Sequence, residues 1–499
     1  MSAIQSSHRG RPSGFAAAVL LAGFVVGLSA YASAATICVN PRGSKGCRSS
    51  IQAAIDSVTA SPSVIVIEPG TYSASCGAAA CSVASILGSA PNASSLTGLT
   101  LECNADNGQS VILDASSLDH GVYVSGVNQV RIEGCVVKNA DREGILIENS
   151  DNIKIAHNVV KNNDQAMGKT RGTGGPPPCP TFLPPGNGII VCCPDAFTGG
   201  PGNFPDDNDD CGEGIHLRSV TSSVVEGNSV HDNIGGILTT DETGPSHDNL
   251  IVNNSSSHNR AFGGDCGVTL ASHLGCTAGS TDATGCSPTG GAGGSVFHNN
   301  VAGNVLNDNG ASGAGMFANP GIPPGSATKA YGNLIADNVI KDNGQPGVGI
   351  HVHAENGNAD HNVVIENVIS GNGGDAEAKP GSPPPGMGIE VLSNGAFGAP
   401  FGAAAPIVGT IISQNRVSNE DIDVWVGNTD TDAGVFLNDL LGVSASGVEN
   451  GGGGTVVATD NYWGCPKGPG KSGCSSASVT GTGTIVSNPF LSHPVSPEK

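Results

Sequence analysis

Aromatic side chains are scarce, at 4% of 499 residues, and only two residues are Trp. Large rings carry much of the burial in ordinary globular cores, so this chain must fill its interior with something else. Bases are scarce too: 21 Lys and Arg stand against 43 Asp and Glu, for a net charge of −22. A surface this acidic repels nucleic acid and anionic lipid, and repels polyanionic glycans unless a cation bridges them. Long apolar runs are missing beyond Leu28, so no later segment reads as a membrane span.

Glycine is abundant, with 75 residues, and there are 15 cysteines. The first apolar run, Phe15 to Leu28, follows His8, Arg9 and Arg11 and precedes the small residues Ala32-Ser33-Ala34. That order predicts a secretory signal peptide over residues 1–34. Its removal takes two arginines and no acid, moving the charge from −22 to −24. The mature protein is expected to be secreted, at the cell surface, outside the cell or in the periplasm. The cysteine count suits such an oxidising compartment. Close spacing suggests bridges between Cys38 and Cys47, Cys76 and Cys81, and Cys465 and Cys474, while Cys103 and Cys135 are placed to join neighbouring turns. A cysteine-zinc site is the rival reading, but neither the spacing nor the nearby histidines make a familiar ligand set.

One unit recurs from His120 onward. A Gly-led strand with period-2 apolar residues returns as Gly121-Val122-Tyr123-Val124, Gly144-Ile145-Leu146-Ile147, Gly214-Ile215-His216-Leu217, Gly267-Val268-Thr269-Leu270, Gly315-Met316-Phe317, Gly347-Val348-Gly349-Ile350-His351 and Gly388-Ile389-Glu390-Val391. After it comes a short strand bracketed by asparagines: Asn158 with Asn163, Asn228 with Asn233, Asn254 with Asn259, Asn304 with Asn309, Asn338 with Asn343, and Asn367 with Asn372. Self-similarity at roughly 22 residues marks a solenoid whose turns stack on one another. Stacked turns lie about 4.8 Å apart, close enough for asparagine amides to bond along the axis and meet the requirement that buried polar groups be paired. These asparagines are therefore expected to be architecture. Ahead of the repeat, Ser49 and Ser50 precede Ile51, Ala54, Ile55 and Val58, an amphipathic helix with a capping serine, placed to cover the open end of the solenoid.

The Gly-led strands, the asparagine pairs and the near-terminal Asp460-Asn461-Tyr462-Trp463-Gly464 resemble the right-handed parallel β-helix repeat proteins, the pectin-lyase-like and NosD-like superfamily of carbohydrate-binding and sugar-hydrolase modules. The resemblance implies an all-β, right-handed parallel β-helix solenoid over residues 35–460, with a short N-terminal capping helix and a C-terminal capping segment over 461–499. It implies a polysaccharide or cell-surface glycan as partner, with the chain a monomer. Catalytic signatures within the superfamily depart from this chain. Asn428-Thr429-Asp430 is followed by neither the Asp-Asp nor the Gly-His-Gly of polygalacturonase-like enzymes, and Arg218 stands alone where a pectate-lyase-like site pairs an Arg with calcium-binding carboxylates.

Insertions at 165–211, 271–294, 319–332, 373–386 and 393–406 flank the Gly-led sheet at both ends, which would turn its outer face into a groove, and loops on a rigid scaffold are where binding is usually found. Alternation along each strand sends one column outward through Tyr123, Leu146, His216, Leu238, Thr269, Phe317, His351, Glu390 and Asp423, and a second through Ser125, Glu148, Arg218, Thr240, Ala271, Asn319, His353, Leu392 and Trp425. On this alignment Ile350, Ile389 and Ile422 stack inside. Glu390 and Asp423 then meet about 5 Å apart, where one carboxyl pKa rises and glycosidic chemistry with retention becomes available. His351 and His353 are the alternative bases, and Trp425, Phe317 and Arg218 the substrate contacts. Asp206, Asp207, Asp209 and Asp210 form a separate oxygen-rich loop suited to calcium, though without the Gly and Glu of a calcium-loop motif. Two functions remain open: carbohydrate binding without catalysis, and a hydrolase or lyase in the same groove.

Overall fold

The computed structural model describes residues 34–75, 81–106, 108–163, 212–260, 266–272, 294–319, 327–353, 355–393, 404–427, 431–442 and 446–495. The expected signal peptide, except for Ala34, lies outside these residues, as do Asp206, Asp207, Asp209 and Asp210.

Among the described residues from Ala35 on, the strands form three sheets of 14, 15 and 11 strands, and every pairing between named strands is parallel. Each turn of chain contributes to all three, so the chain winds as a parallel β-helix. Its core is a continuous stack of Val, Ile, Leu and Ala, from Val39 to Ala458. Trp463 closes the stack at the C-terminal end and is fully buried. Two further strands, Ser476–Val479 and Thr484–Val486, run past the expected boundary at 460 and extend two of the sheets. Helix α1 (Ile51–Asp56) occurs where the amphipathic pattern puts it. The Ser50 hydroxyl accepts from the Ala53 N–H at 3.1 Å, and Ile51, Ala54 and Ile55 are buried.

The asparagines form amide ladders along the axis. In the first, each side-chain N–H donates to the next Oδ1, from Asn158 through Asn228, Asn254, Asn304, Asn338, Asn367, Asn415 and Asn438 to Asn461, at 2.9–3.0 Å. The second runs from Asn163 to Asn372 and ends on Glu420, whose carboxylate accepts the Asn372 side chain at 2.8 Å. A third, through Asn249, Asn299, Asn333 and Asn362, turns a different corner. Sequence reasoning did not separate it, although Asn249, Asn254 and Asn259 are spaced by fives and the spacing repeats in later coils.

Bridges join Cys38 to Cys47, Cys103 to Cys135, and Cys465 to Cys474, as the spacing suggested. Cys81 is also disulfide-bonded; Cys76, its expected partner, lies outside the described residues.

The leading glycines have a steric cause. A Cβ on Gly121 would come within 2.2 Å of Val137 and 2.7 Å of the Gly144 carbonyl, so the corner entering the fifteen-stranded sheet has no room for a side chain.

Candidate functional site

The fifteen-stranded sheet carries the Gly-led strands, and its register decides which outward residues meet. Tyr123, Leu146, His216, Leu238 and Thr269 stack in one column as expected. The column then passes through Gly315, Gly349, Glu390, Trp425 and Glu449. Phe317 stands beside Ala271 and His351, and His351 beside Leu392. The sequence alignment is thus two residues out of step at Phe317 and His351, in step again at Glu390, and two residues out the other way at Asp423. It aligned Gly315 with Gly267, whereas the corner glycine of that coil is Gly313.

The slip separates the expected carboxylate pair. Ile389 aligns with Val424, Ile350 with Val391, and Ile422 with Met387, so the three isoleucines do not stack. Glu390 is opposite Trp425, and Asp423 occupies the corner slot that Gly388 holds one coil earlier. A side chain in that slot points toward Val417 of the eleven-stranded sheet. Asp423 is fully buried and accepts the Gly442 N–H at 3.2 Å. Burial, with a contribution from Glu420, raises its pKa well above the ordinary range against the Gly442 hydrogen bond. Trp425 is 2% exposed and packs with Met387, Leu392 and Ile422, so it offers no open platform.

Around Glu390 the face gathers other groups. The Phe317 ring lies over Gly315, where a Cβ would stand 2.2 Å from it. Phe317 and His351 are 5.0 Å apart by ring centroid, and His353 meets His351 edge-on at 5.3 Å. His351 Nε2 is 3.5 Å from Glu390 Oε2. The 373–386 insertion returns over this face. Ala378 packs on the Trp425 cluster, Lys379 pairs with Glu449, and Asp375 comes close enough that one donor atom each from His351, Asp375 and Glu390 falls within 4.8 Å. His353 Nδ1 is 4.0 Å from Glu377 Oε2. Glu390 is fully buried, and neither carboxylate oxygen has a hydrogen-bond partner. Burial pushes its pKa up to about 7, against the pull of His351. His351 is itself raised, because Glu390, Asp375 and Glu377 outweigh its desolvation. Asp375 and Glu377 escaped sequence reasoning because a loop brings them to the sheet.

A second cluster lies five coils toward the N-terminus, roughly 24 Å away along the axis. Glu143, Glu213 and His216 bring one donor atom each within 4.8 Å. Arg218 is in the same coil as His216, and its guanidinium is 3.1 Å from Glu148, which also accepts the Tyr123 hydroxyl at 2.7 Å. Glu148, Glu242 and Glu143 raise the Arg218 pKa despite its burial. Arg218 is therefore occupied in holding carboxylates. Glu143 and Glu213 were missed because they precede the leading glycine, outside the alternating positions. The signal was present in Glu143-Gly144-Ile145 and Glu213-Gly214-Ile215.

A family profile described as a right-handed β-helix region matches residues 76–191. No protein with a curated description matches the chain. Among solved structures, the A-module of the Azotobacter vinelandii mannuronan C-5 epimerase AlgE6 is 15% identical over 90% of this chain and 95% of its own, with a TM-score of 0.47. The tailspike of E. coli bacteriophage HK620, in complex with a pentasaccharide, is 12% identical over 88% of this chain and 67% of its own, with a TM-score of 0.46. PfbA, a surface adhesin of Streptococcus pneumoniae, is 9% identical over 88% of this chain and 87% of its own, with a TM-score of 0.45. At these identities the likeness is one of fold. The fold is a right-handed parallel β-helix, and a fold by itself does not assign a function.

Proposed function

We propose that this protein is exported and binds a glycan along the outer face of the fifteen-stranded sheet, centred on Phe317, His351, His353 and Glu390. The observation that carries the reading is the Glu390 carboxylate, buried with both oxygens unbonded beside the half-buried Phe317 ring. A sugar presents hydroxyl donors to such oxygens and an apolar face to such a ring. The acidic surface favours a neutral glycan, or a uronate bridged by a cation. Disulfides support export into an oxidising compartment. Among the described residues, no helix is long and apolar enough to cross a membrane.

The test is a panel of neutral and uronate polysaccharides, with and without calcium, read for retention and for both reducing ends and unsaturated products. At least one polysaccharide should be retained, and Phe317→Ala should weaken retention about tenfold, the value of a ring contact of 1–1.5 kcal/mol. Retention of none overturns the reading.

A second reading, cleavage in the same groove, is favoured by one observation. A carboxyl near pKa 7 beside an imidazole is present at neutral pH in both the acid and base forms that proton transfer needs. Asp375, not Asp423, is the carboxylate within reach of Glu390, so a pair at retaining distance forms with a residue of the 373–386 loop. The products separate the two readings: reducing ends or unsaturated products that vanish in Glu390→Gln belong to the second, while retention without product by the unsubstituted chain belongs to the first.

A further inference from the structure

The N-terminal cluster is used by neither reading. It rests on two coils in register, with Ile145 beside Ile215 and Leu146 beside His216. Continuing the pairing backward through the leading glycines places Glu143 beside Glu213. All three side chains are buried: His216 is 1% exposed, Glu213 0% and Glu143 6%.

The imidazole is the informative group. Its Nε2 is 2.8 Å from Thr240 Oγ1, and the Thr240 hydroxyl donates onward to Glu242. A hydroxyl that spends its proton on a carboxylate can only accept from the ring, so Nε2 carries the hydrogen and, in the neutral imidazole that a metal binds, Nδ1 is the lone-pair nitrogen. That Nδ1 is buried, has no hydrogen-bond partner and faces Glu143 Oε1 at 3.7 Å, too far for a hydrogen bond. The other oxygen of Glu143 is held by His120, whose Nδ1 is 2.8 Å away. One nitrogen of His216 and one oxygen each from Glu143 and Glu213 thus converge within 4.8 Å.

We propose that Glu143, Glu213 and His216 bind one divalent transition-metal cation of the zinc class. An imidazole nitrogen in the donor set selects such a cation over calcium or magnesium, which take oxygen ligands. Zinc bonds of 2.0–2.2 Å set neighbouring donors about 3.4 Å apart. The 3.7 Å separation of Glu143 and His216 is already near that value, and closing the 4.8 Å bound on Glu213 takes a shift of roughly 1.5 Å at most. The surroundings have the form of a metal's outer shell: Thr240 fixes the imidazole tautomer and His120 orients the Glu143 carboxylate. Arg218, in the same coil as His216, is engaged by Glu148. The site does not depend on the glycan reading.

The experiment uses the full chain stripped with chelator. Zinc chloride, followed by isothermal titration calorimetry, is expected to bind at one ion per chain and to raise the melting midpoint by several degrees. Calcium and magnesium at equal concentration should leave the midpoint in place. His216→Gln and Glu213→Gln should each weaken zinc binding at least tenfold, while Glu449→Gln, outside the cluster, should not. Cobalt(II) added to the unsubstituted chain should give visible d–d bands and one paramagnetically shifted exchangeable imidazole proton, the His216 Nε2–H held by Thr240. That reading stands even if a substituted chain fails to fold. No stoichiometric zinc binding, binding undiminished in the two variants, or a cobalt complex without the shifted imidazole proton overturns the proposal.

Discussion

The outer faces of the three sheets are built from one repeat yet behave differently. In the eleven-stranded sheet, strands such as Val136–Lys138, Val159–Lys161 and Val339–Lys341 alternate half-exposed, buried, half-exposed. The fourteen-stranded sheet does the same at Arg131–Glu133 and Val224–Glu226. Several strands of the fifteen-stranded sheet do not. Val268–Ser272, Val348–Val352, Met387–Ser393 and Ile422–Gly427 are buried at every position. Polar groups on the first two faces remain partly in water, where Glu226 is lowered by its bond to Lys154. Equivalent groups on the third lose their solvation, which is why Glu390 and His351 are perturbed there. Chemistry collects where a strand's polar side is also covered.

The comparison can be broken most directly by truncation. Trp425→Ala on the covered face should cost about 3–5 kcal/mol, as for other buried aromatics. Val305→Ala, outward on the eleven-stranded sheet and 39% exposed, should cost under about 1 kcal/mol. Urea denaturation of both variants decides it; equal losses would mean the two faces do not differ.

Next in size is the ladder beneath both faces. Asn338 donates to Val301 O and Asn367 Oδ1 and accepts from the Asn304 backbone and side chain. Asn338→Ala strands these partners in the interior and should cost about 2–4 kcal/mol. A midpoint unchanged in urea would show that the ladder is decoration.

Titration gives a smaller effect with a definite sign. Glu390 and Glu420 have folded pKa values raised from 4.5 to about 7, in both cases chiefly by burial. A raised carboxyl stabilises the fold below its unfolded pKa, and the contribution is lost as pH rises toward the folded value. Stability should therefore fall between pH 4.5 and 7, by on the order of 2 kcal/mol for each group. Glu390→Gln should flatten part of that fall, leaving the variant the more stable at pH 8. A melting midpoint that does not change across the window would contradict the covered face.

The smallest effect belongs to the open faces. Lys154 and Glu226 pair in the fourteen-stranded sheet with side chains 34% and 32% exposed. Lys154→Ala should change stability by no more than about 0.5 kcal/mol, less in salt. A larger loss would make the open face more than a solvated surface.

Much of this was legible in the sequence, and the failures share a cause. Period-2 alternation separated inward from outward residues correctly at Val122, Val124, Ile350 and Ile389, because a one-residue slip would turn the apolar set into solvent. A two-residue slip leaves that parity untouched. Gly313-Ala314-Gly315 and Gly347-Val348-Gly349 each offer two glycines in the same phase, and pattern alone could not choose between them. The choice displaced Phe317 and His351 by two residues; the coil of Asp423 has no leading glycine to fix its phase, and Asp423 was set beside Glu390 when it stands beside Gly388.

By itself the sequence determined the stacked coil, two of the three asparagine ladders, the bridges Cys38–Cys47 and Cys465–Cys474 and the alternation of inward and outward residues along most strands. All are set by short-range spacing and by the need to bury apolar groups and pair buried amides. Only the tertiary structure decided which outward residue of one coil meets which of the next, and that a loop returns Asp375 to Glu390 while Glu143 reaches across to Glu213 and His216. Those meetings depend on how coils of unequal length are phased against one another, and steric room at the corners sets that phase.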